Sequence, residues 1–418
     1  MLVLITLCLF LFLYLSNSDL LSPSKFFALN LVMFNYDVFI SEYSIYTQLT
    51  YAIYVAFGFF AGLIEIFVIK RKYKKKKLKL YYGPKSIVSM YFIIVMASLV
   101  PLLSQLYMFS HFGGVAGYLI ALPYRVINFA GLGIWVQLIG LYQIINAVYF
   151  VFLLTKHNVS SRERLLFCMH LLLGLSLALI SGSRSSLLVY FLFMVVATHY
   201  FVKPLSLKFL SVSVITLVLC AGLIETARSV LRYSENGEMK FEEISIGTEF
   251  SKYGLITLEL IYEQGVHTLY YGATYLTLVT NFIPRAIWPD KPDTGGLLFT
   301  KEYTGDAWDG ASNLSTGLLP EAYMNFSFAG GLFAALAIFL SLSFLLSVYY
   351  NKKCLKAPLN SNDVITFPVY TLFYYSYGGV LISEFTNLFQ PLIFKIIFLV
   401  CLSLCIKVLV KSRVMEIN

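Results

Sequence analysis

The residues best suited to chemistry are four arginines, Arg184, Arg228, Arg232 and Arg285, and the segment Asn281 to Pro292, NFIPRAIWPDKP, that carries the last of them. A guanidinium stays charged and offers a planar fork of donors, so arginines gathered on one face suit an anionic ligand. Singly, each also fits an anchor that snorkels to lipid phosphates. Arg184 lies in SGSRSS, and Arg228 and Arg232 stand at i, i+4, on one side of a continuing helix. Pro284, Pro289 and Pro292 fix φ and restrict the residue before each, so Arg285, Trp288, Asp290 and Lys291 sit on a stiff backbone. Such stiffness suits a binding surface better than a linker.

Other chemistries find little support. There is no P-loop, dinucleotide-binding glycine pattern, HExxH pair or GxSxG elbow. Asp306 and Asp309 form a DxxD in a loop with no further ligands, which reads as a solvated turn rather than a cation site. Cys8, Cys168, Cys220, Cys354, Cys401 and Cys405 suggest no disulfide framework; Cys401 and Cys405 share a helix face among leucines and valines, as packing residues do. No metal and no cofactor are expected. Trp288, Trp308 and the tyrosines 262, 270, 271 and 275, interleaved with acids and bases, fit a sugar-contacting surface, although the tyrosines fit an interfacial aromatic belt as well.

The elements that must hold these residues are set by hydropathy. The 418 residues are 59% hydrophobic and 13% charged, with a mean hydropathy of +0.77, far too apolar for a soluble fold. Apolar runs near the ~20 residues of a membrane-crossing helix recur, without the period of two of an outer-membrane barrel. The expected fold is an all-α integral membrane protein, a polytopic bundle of about ten or eleven helices. The net charge of +9 is no sign of a nucleic-acid partner. Lys70 to Lys79 form a basic block after a span, an orientation signal that places this turn in the cytoplasm.

From that anchor the crossings run 2–15, 49–69, 87–109, 129–154, 165–180, 187–201, 205–224, 326–350, 364–382 and 388–410, with the N-terminus inside. Leu2 to Leu15 lacks the basic start and cleavage site of a signal peptide and reads as a retained helix. Residues 26–40, interrupted by Asn30, Asn35 and Asp37, read as an interfacial or re-entrant segment. The chain divides into N-terminal spans (1–224), a large structured loop outside the membrane (225–325) and C-terminal spans (326–418). Within the loop, 255–282 is amphipathic and aromatic, and suits the interface; 284–319, rich in Pro, Gly and Asp, reads as structured loop.

GSRSS at Gly182 to Ser186, Gly272 followed by NFIPRAIWPDKP, and LPEAYMNFSFAGG leading into a span together resemble the Wzy-type O-antigen polymerases, the oligosaccharide repeat unit polymerases. The likeness lies mainly in the second half of the chain. It implies a GT-C-like fold of the O-antigen polymerase and ligase type in the bacterial cytoplasmic (inner) membrane, with the active site facing the periplasm or exterior. The implied reaction moves a growing glycan from undecaprenyl pyrophosphate to the terminal sugar of a new undecaprenyl-pyrophosphate-linked unit. Implied partners are these lipid-linked glycans, membrane lipid, a chain-length regulator and a flippase.

On that resemblance Arg184 and Arg285 are the first choices for contacting the leaving pyrophosphate, Arg228 and Arg232 the second, with Lys291 supplementing them. Trp288, Trp308 and Asp290 would contact substrate. Glu321, at the outer end of a span, and His267 are candidate general bases, with Asp290 and Asp293 behind them. Gly182, Gly272 and Gly330 read as sites of close backbone approach. An O-antigen ligase shares this architecture and differs in its acceptor. A lipid-linked oligosaccharide flippase, the rival from another class, predicts charges within spans and an internal duplication; Lys395 is the clearest such charge, and no duplication is visible.

Overall fold

The protein is described by a computed structural model over residues 1–69, 78–122, 125–181, 184–216, 255–283, 287–304, 314–355, 363–410 and 412–416. In chain order the elements are α1 (Leu2–Ser16), α2 (Pro23–Asn35) with a 3-10 turn (Tyr36–Phe39), α3 (Ile45–Val68), β1 (Leu78–Tyr82), α4 (Pro84–His111), α5 (Val115–Ala121), α6 (Arg125–Asn128), α7 (Gly133–Ile139), α8 (Leu141–Thr155), α9 (Ser161–Ile180) and α10 (Arg184–Phe201). They continue with α11 (Leu207–Thr216), α12 (Leu255–Gln264), α13 (Ala273–Thr280), α14 (Gly295–Tyr303), α15 (Leu318–Lys353), α16 (Asp363–Gly379), α17 (Phe385–Leu409) and β2 (Ser412–Glu416).

Among the described residues, six helical stretches are long and apolar enough to cross a membrane: Ile45–Val68, Pro84–His111, Gly133–Thr155, Ser161–Ile180, Leu318–Lys352 and Phe385–Leu409. They bear large apolar side chains on exposed faces, such as Phe67, Phe333 and Val408, as lipid-facing helices must. The other four expected crossings are also helical where described, but α1, α10, α11 and α16 are shorter. The 15 residues of α1 reach roughly 22 Å, less than the ~30 Å of hydrocarbon. Residues 26–40 form most of α2 and its 3-10 turn, and Phe27, Ala28 and Leu31 there are fully buried.

Two departures from the expected all-α reading are physical. β1 and β2 pair antiparallel, Leu78 opposite Glu416 and Tyr82 opposite Ser412, because a strand's backbone groups need a partner and each segment supplies the other's. The region expected to be loop also contains helices: α12 buries Leu255, Leu258 and Ile261 completely, and α14 interrupts the Pro- and Gly-rich part.

The chain forms two compact units, which cut it differently from the three topological parts. Unit 1 comprises Met1–Tyr73, Thr248–Leu355 and Leu372–Ile393; unit 2 comprises Lys74–Gly247, Lys356–Thr371 and Phe394–Asn418. In unit 1, α3 is packed by α1, α2 and α15. Gly58 and Gly62 make the α1 contact possible: a Cβ on Gly58 would lie 2.7 Å from Leu9, and one on Gly62 would lie 2.6 Å from both Leu13 and Phe12. In unit 2, α8 is nearly all buried, and Tyr142 packs with Leu177, Ala178, Leu187 and Tyr190 of the neighbouring helices.

The feature that matters most for the site is a break inside α15. Phe326 and Ser327 leave helical geometry, and Ser327 adopts a φ of 63°. A Cβ on Gly331 would lie 2.7 Å from the Ala322 carbonyl, although nine residues of straight helix span roughly 13 Å. The chain therefore turns sharply between a short helix, 318–325, and the long apolar one after it. The sequence starts this span at Phe326, and the break falls there; the short helix before it lies in what reads as loop.

Candidate functional site

The short arm of α15 carries Glu321, which is completely buried. Its Oε1 accepts a hydrogen bond from Thr274 Oγ1 at 2.7 Å, and its Oε2 accepts from the backbone N–H of Phe385 at 2.6 Å. Phe385 opens α17, so Glu321 caps the N-terminus of another helix, where unpaired N–H groups and the positive end of the dipole favour an acid. Glu384, the preceding residue and 1% exposed, does the same for α14 by accepting from the Gly296 N–H. Burial pushes the Glu384 carboxyl above its ordinary range, partly offset by that N–H.

Two adjacent glycines let α14 start against these acids. A Cβ on Gly295 would lie 2.7 Å from Glu321 Oε1, and one on Gly296 would lie 2.7 Å from Glu384 Oε2 and 2.8 Å from the Leu314 carbonyl. Beside the acids, Glu384 Oε1 and the Tyr275 hydroxyl are buried without a hydrogen-bond partner among the described residues.

Asn325 joins this cluster to α13. Its Nδ2 donates to Thr274 Oγ1 at 2.7 Å and to the Glu321 carbonyl at 2.8 Å, while its Oδ1 accepts from the Gly272 N–H at 2.8 Å. Where the short helix ends, the carbonyls of Met324 and Asn325 accept from the N–H groups of Tyr270 and Tyr271, each at 3.0 Å. Orphan carbonyls at the break are thereby satisfied. Gly272 has a φ of 90°, which glycine adopts without steric cost. Gly330 stands at the break too, where a Cβ would meet that of Phe326 at 3.0 Å.

The stiff loop of the sequence leaves this cluster at one helix and returns at the next. It runs from the end of α13 to the start of α14, and Lys291 Nζ donates to the Ile283 carbonyl at 2.8 Å across its base. Asp293 pairs with Lys301 at 2.8 Å. At its tip Ile287 is 75% exposed and Trp288 41%, and Asp290 is exposed as well. His267 is also exposed and stacks on the Tyr303 ring at 4.6 Å, while the Tyr303 hydroxyl donates to the Gly265 carbonyl.

The expected site residues thus fall into distinct groups. Glu321 joins Gly272 in the buried cluster, Trp288, Asp290 and Lys291 share one loop, and His267 stands on a separate turn. Arg184 opens α10 in unit 2. Arg228, Arg232, Arg285 and Trp308 lie outside the described residues, as do Asp306, Asp309 and Gly182. Glu321, read from sequence as a base at the end of a span, is sealed with both oxygens bonded. Those bonds tie the short arm of α15 to α13 and α17.

Glu384 was not singled out from the sequence, although an acid directly before the apolar run FTNLFQPLIF is a helix-start signal. Among the described residues no group of three or more His, Cys, Asp or Glu is placed to hold a metal ion. An open cavity of about 770 Å³, lined by Pro84, Lys156, His157, Ser160, Glu163 and Arg164, belongs to the α8–α9 turn of unit 2 and shares no residue with the cluster. Compared with known protein families, with curated proteins and with solved structures, the chain gives no match.

Proposed function

We propose that this chain is a metal-independent glycosyltransferase that polymerises lipid-linked oligosaccharide repeat units at the outer face of a bacterial cytoplasmic membrane. The observation that carries the reading is the meeting of Gly272 and LPEAYMNF, two of the elements behind the family resemblance, in one hydrogen-bonded cluster. Their juxtaposition at a helix break, with the NFIPRAIWPDKP loop mounted on it, gives the loop a rigid base. The strand pair adds support for the orientation: it holds the segment after the lysine block beside the C-terminal segment, which the charge pattern assigns to the same side.

In the proposed reaction a hydroxyl of the incoming unit's terminal sugar attacks the anomeric carbon of the growing glycan. The new C–O bond forms as the bond to the diphosphate breaks, and the electron pair leaves with the diphosphate. Fixed positive charge stabilises that leaving group, each donor contributing ~3 kcal/mol or more at a water-poor site; the resemblance gives the role to arginine, with Arg184 and Arg285 as first candidates and Arg228, Arg232 and Lys291 behind them. The hydroxyl proton passes to an accessible base, for which His267 and Asp290 are exposed and Glu321 is not. Trp288 offers a ring face to a sugar.

The test is the repeat length of surface polysaccharide in a deletion strain complemented with Arg184→Ala or Arg285→Ala. Long chains disappear while single units still reach the surface. Normal expression of both variants with unchanged chain lengths removes the arginines from the mechanism. Loss of all export instead points to translocation.

A further inference from the structure

Lys395 lies midway along α17, about ten residues or roughly 15 Å from the first residue of the helix. A lysine inside an apolar span is costly unless acceptors surround its ammonium, which makes it a candidate for function. Its Nζ reaches one acceptor, Gln143 Oε1 of α8, at 3.3 Å. An ammonium has three N–H donors. Two are therefore without a partner among the described residues, and no carboxylate there pairs with it.

The same glutamine leads to a second source of positive potential. Its Nε2 donates to the Ser186 carbonyl at 3.1 Å, in the first turn of α10, and Arg184 heads that turn. One neutral side chain thus bridges a partly buried ammonium and a helix N-terminus that begins with an arginine. The place is recessed. α8 and α10 run parallel because α9 returns between them, yet α7 and the start of α8 continue about ten residues, roughly 15 Å, beyond Gln143 while α10 stops two residues beyond Ser186.

We propose that Lys395, with the first turn of α10 headed by Arg184, forms a recessed subsite for the phosphate of an anionic amphiphile. Phosphate oxygens supply the acceptors that the two free N–H groups lack, and charge pairing removes the cost of the isolated cation. Only the identity of the amphiphile as a polyprenyl diphosphate rests on the polymerase reading. An anionic phospholipid headgroup offers the same oxygens.

The test uses the full chain in phosphatidylcholine nanodiscs, with a polyprenyl diphosphate and phosphatidylglycerol as separate probes. Wild type and Lys395→Arg bind, and Lys395→Met binds at least tenfold more weakly. Gln143→Glu gives the ammonium an internal carboxylate, so it loses binding while remaining folded, which keeps the test decisive if Lys395→Met fails to fold. Lys395-dependent preference for the diphosphate assigns the subsite to substrate, and equal Lys395-dependent binding of phosphatidylglycerol assigns it to bilayer lipid. Equal affinities of wild type, Lys395→Met and Gln143→Glu for both probes overturn the subsite. No glycan is transferred in this assay, so a chain that binds in this way but never lengthens a glycan loses the polymerase reading and keeps the subsite.

Discussion

The two units differ in their buried carboxyls. In unit 1 three of them sit on helix N-termini that other segments present: Glu65 accepts from the Ser24 N–H of α2, Glu321 from the Phe385 N–H of α17, and Glu384 from the Gly296 N–H of α14, while half-buried Glu259 accepts from the Ser44 N–H just ahead of α3; buried Asp19 accepts instead from the Leu21 N–H and the Tyr350 hydroxyl. In unit 2 the fully buried polar side chains described are neutral, and half-buried Glu163 caps its own helix α9 and pairs with Lys156. His170 Nδ1 accepts from Asn146 Nδ2 at 2.9 Å, so its Nε2 carries the proton and donates to Ser98 Oγ at 3.0 Å, which itself donates to the Ile94 carbonyl. Unit 1 therefore joins its helices through buried carboxyl oxygens that accept hydrogen bonds, whereas the contact between α4, α8 and α9 in unit 2 is made by neutral groups.

The contrast predicts unequal costs for deleting one polar side chain from each unit. Glu321→Leu strands the Phe385 N–H and the Thr274 hydroxyl in a sealed interior, at about 1–3 kcal/mol for each group left unpaired. Thermal unfolding in detergent should show a large loss, and Glu321→Gln a smaller one, because its amide oxygen still accepts from Phe385. His170→Phe in unit 2 strands mainly the Asn146 amide, at about 1–3 kcal/mol, since Ser98 keeps its bond to Ile94. Equal losses for Glu321→Leu and His170→Phe remove the distinction between the units. Glu321→Gln also separates positioning from proton transfer: a folded variant that still makes long chains excludes Glu321 as the base.

Next in size is Glu259→Ala. Its carboxylate accepts from the Ser44 N–H and Ser44 Oγ, both at 2.9 Å, and from Thr47 Oγ1, across more than 200 residues of sequence. Loss of a helix cap of this kind costs about 0.5–2 kcal/mol. The expected signature is a lowered melting temperature together with faster amide exchange at the start of α3. Unchanged exchange there shows that Ser44, whose Oγ also accepts from the Thr47 N–H, caps the helix alone.

A smaller effect sharpens the account of the acids through pH. Burial holds the Glu384 carboxyl above its ordinary value, so the folded chain binds that proton more tightly than the unfolded chain does. Its contribution to stability is complete below about pH 4 and declines as pH rises toward the raised value. Glu384→Gln lacks this titration, so the melting temperatures of wild type and variant should diverge as pH rises, with wild type losing ground. A constant gap from pH 4 to pH 8 contradicts the burial argument.

What could be read from the sequence divides along the same line. Helical spans were legible because hydropathy alone dictates them, and each of the ten expected crossings contains a helix among its described residues. Gly330 was legible as a place of close approach, since a glycine is a local signal, and a Cβ there would meet that of Phe326 at 3.0 Å. The partnership of Glu321 with Glu384 was not, because the residues lie far apart in the chain. Lys395 was visible as a charge in a span, but its link to the turn after Arg184 depends on Gln143, an ordinary glutamine until α8 and α10 are packed. Tertiary hydrogen bonds of this kind leave no periodicity to find.

The smallest effect on stability is expected where the proposed effect on function is among the largest. Trp288 is 41% exposed on a loop whose base is closed by Lys291 and Ile283, so Trp288→Ala removes no core packing and should change stability by no more than about 0.5 kcal/mol. If its ring stacks on a sugar, the same substitution shortens the glycan chains while the melting temperature stays put. Lys291→Met tests the base of the loop instead: losing the bond to Ile283 frees the loop, so it should shorten chains as well and leave the buried acids undisturbed. A Trp288→Ala protein that melts as low as Glu259→Ala makes the loop part of the packed unit rather than a surface carried by it. The separation between a rigid acid-capped base and an exposed binding edge then no longer holds.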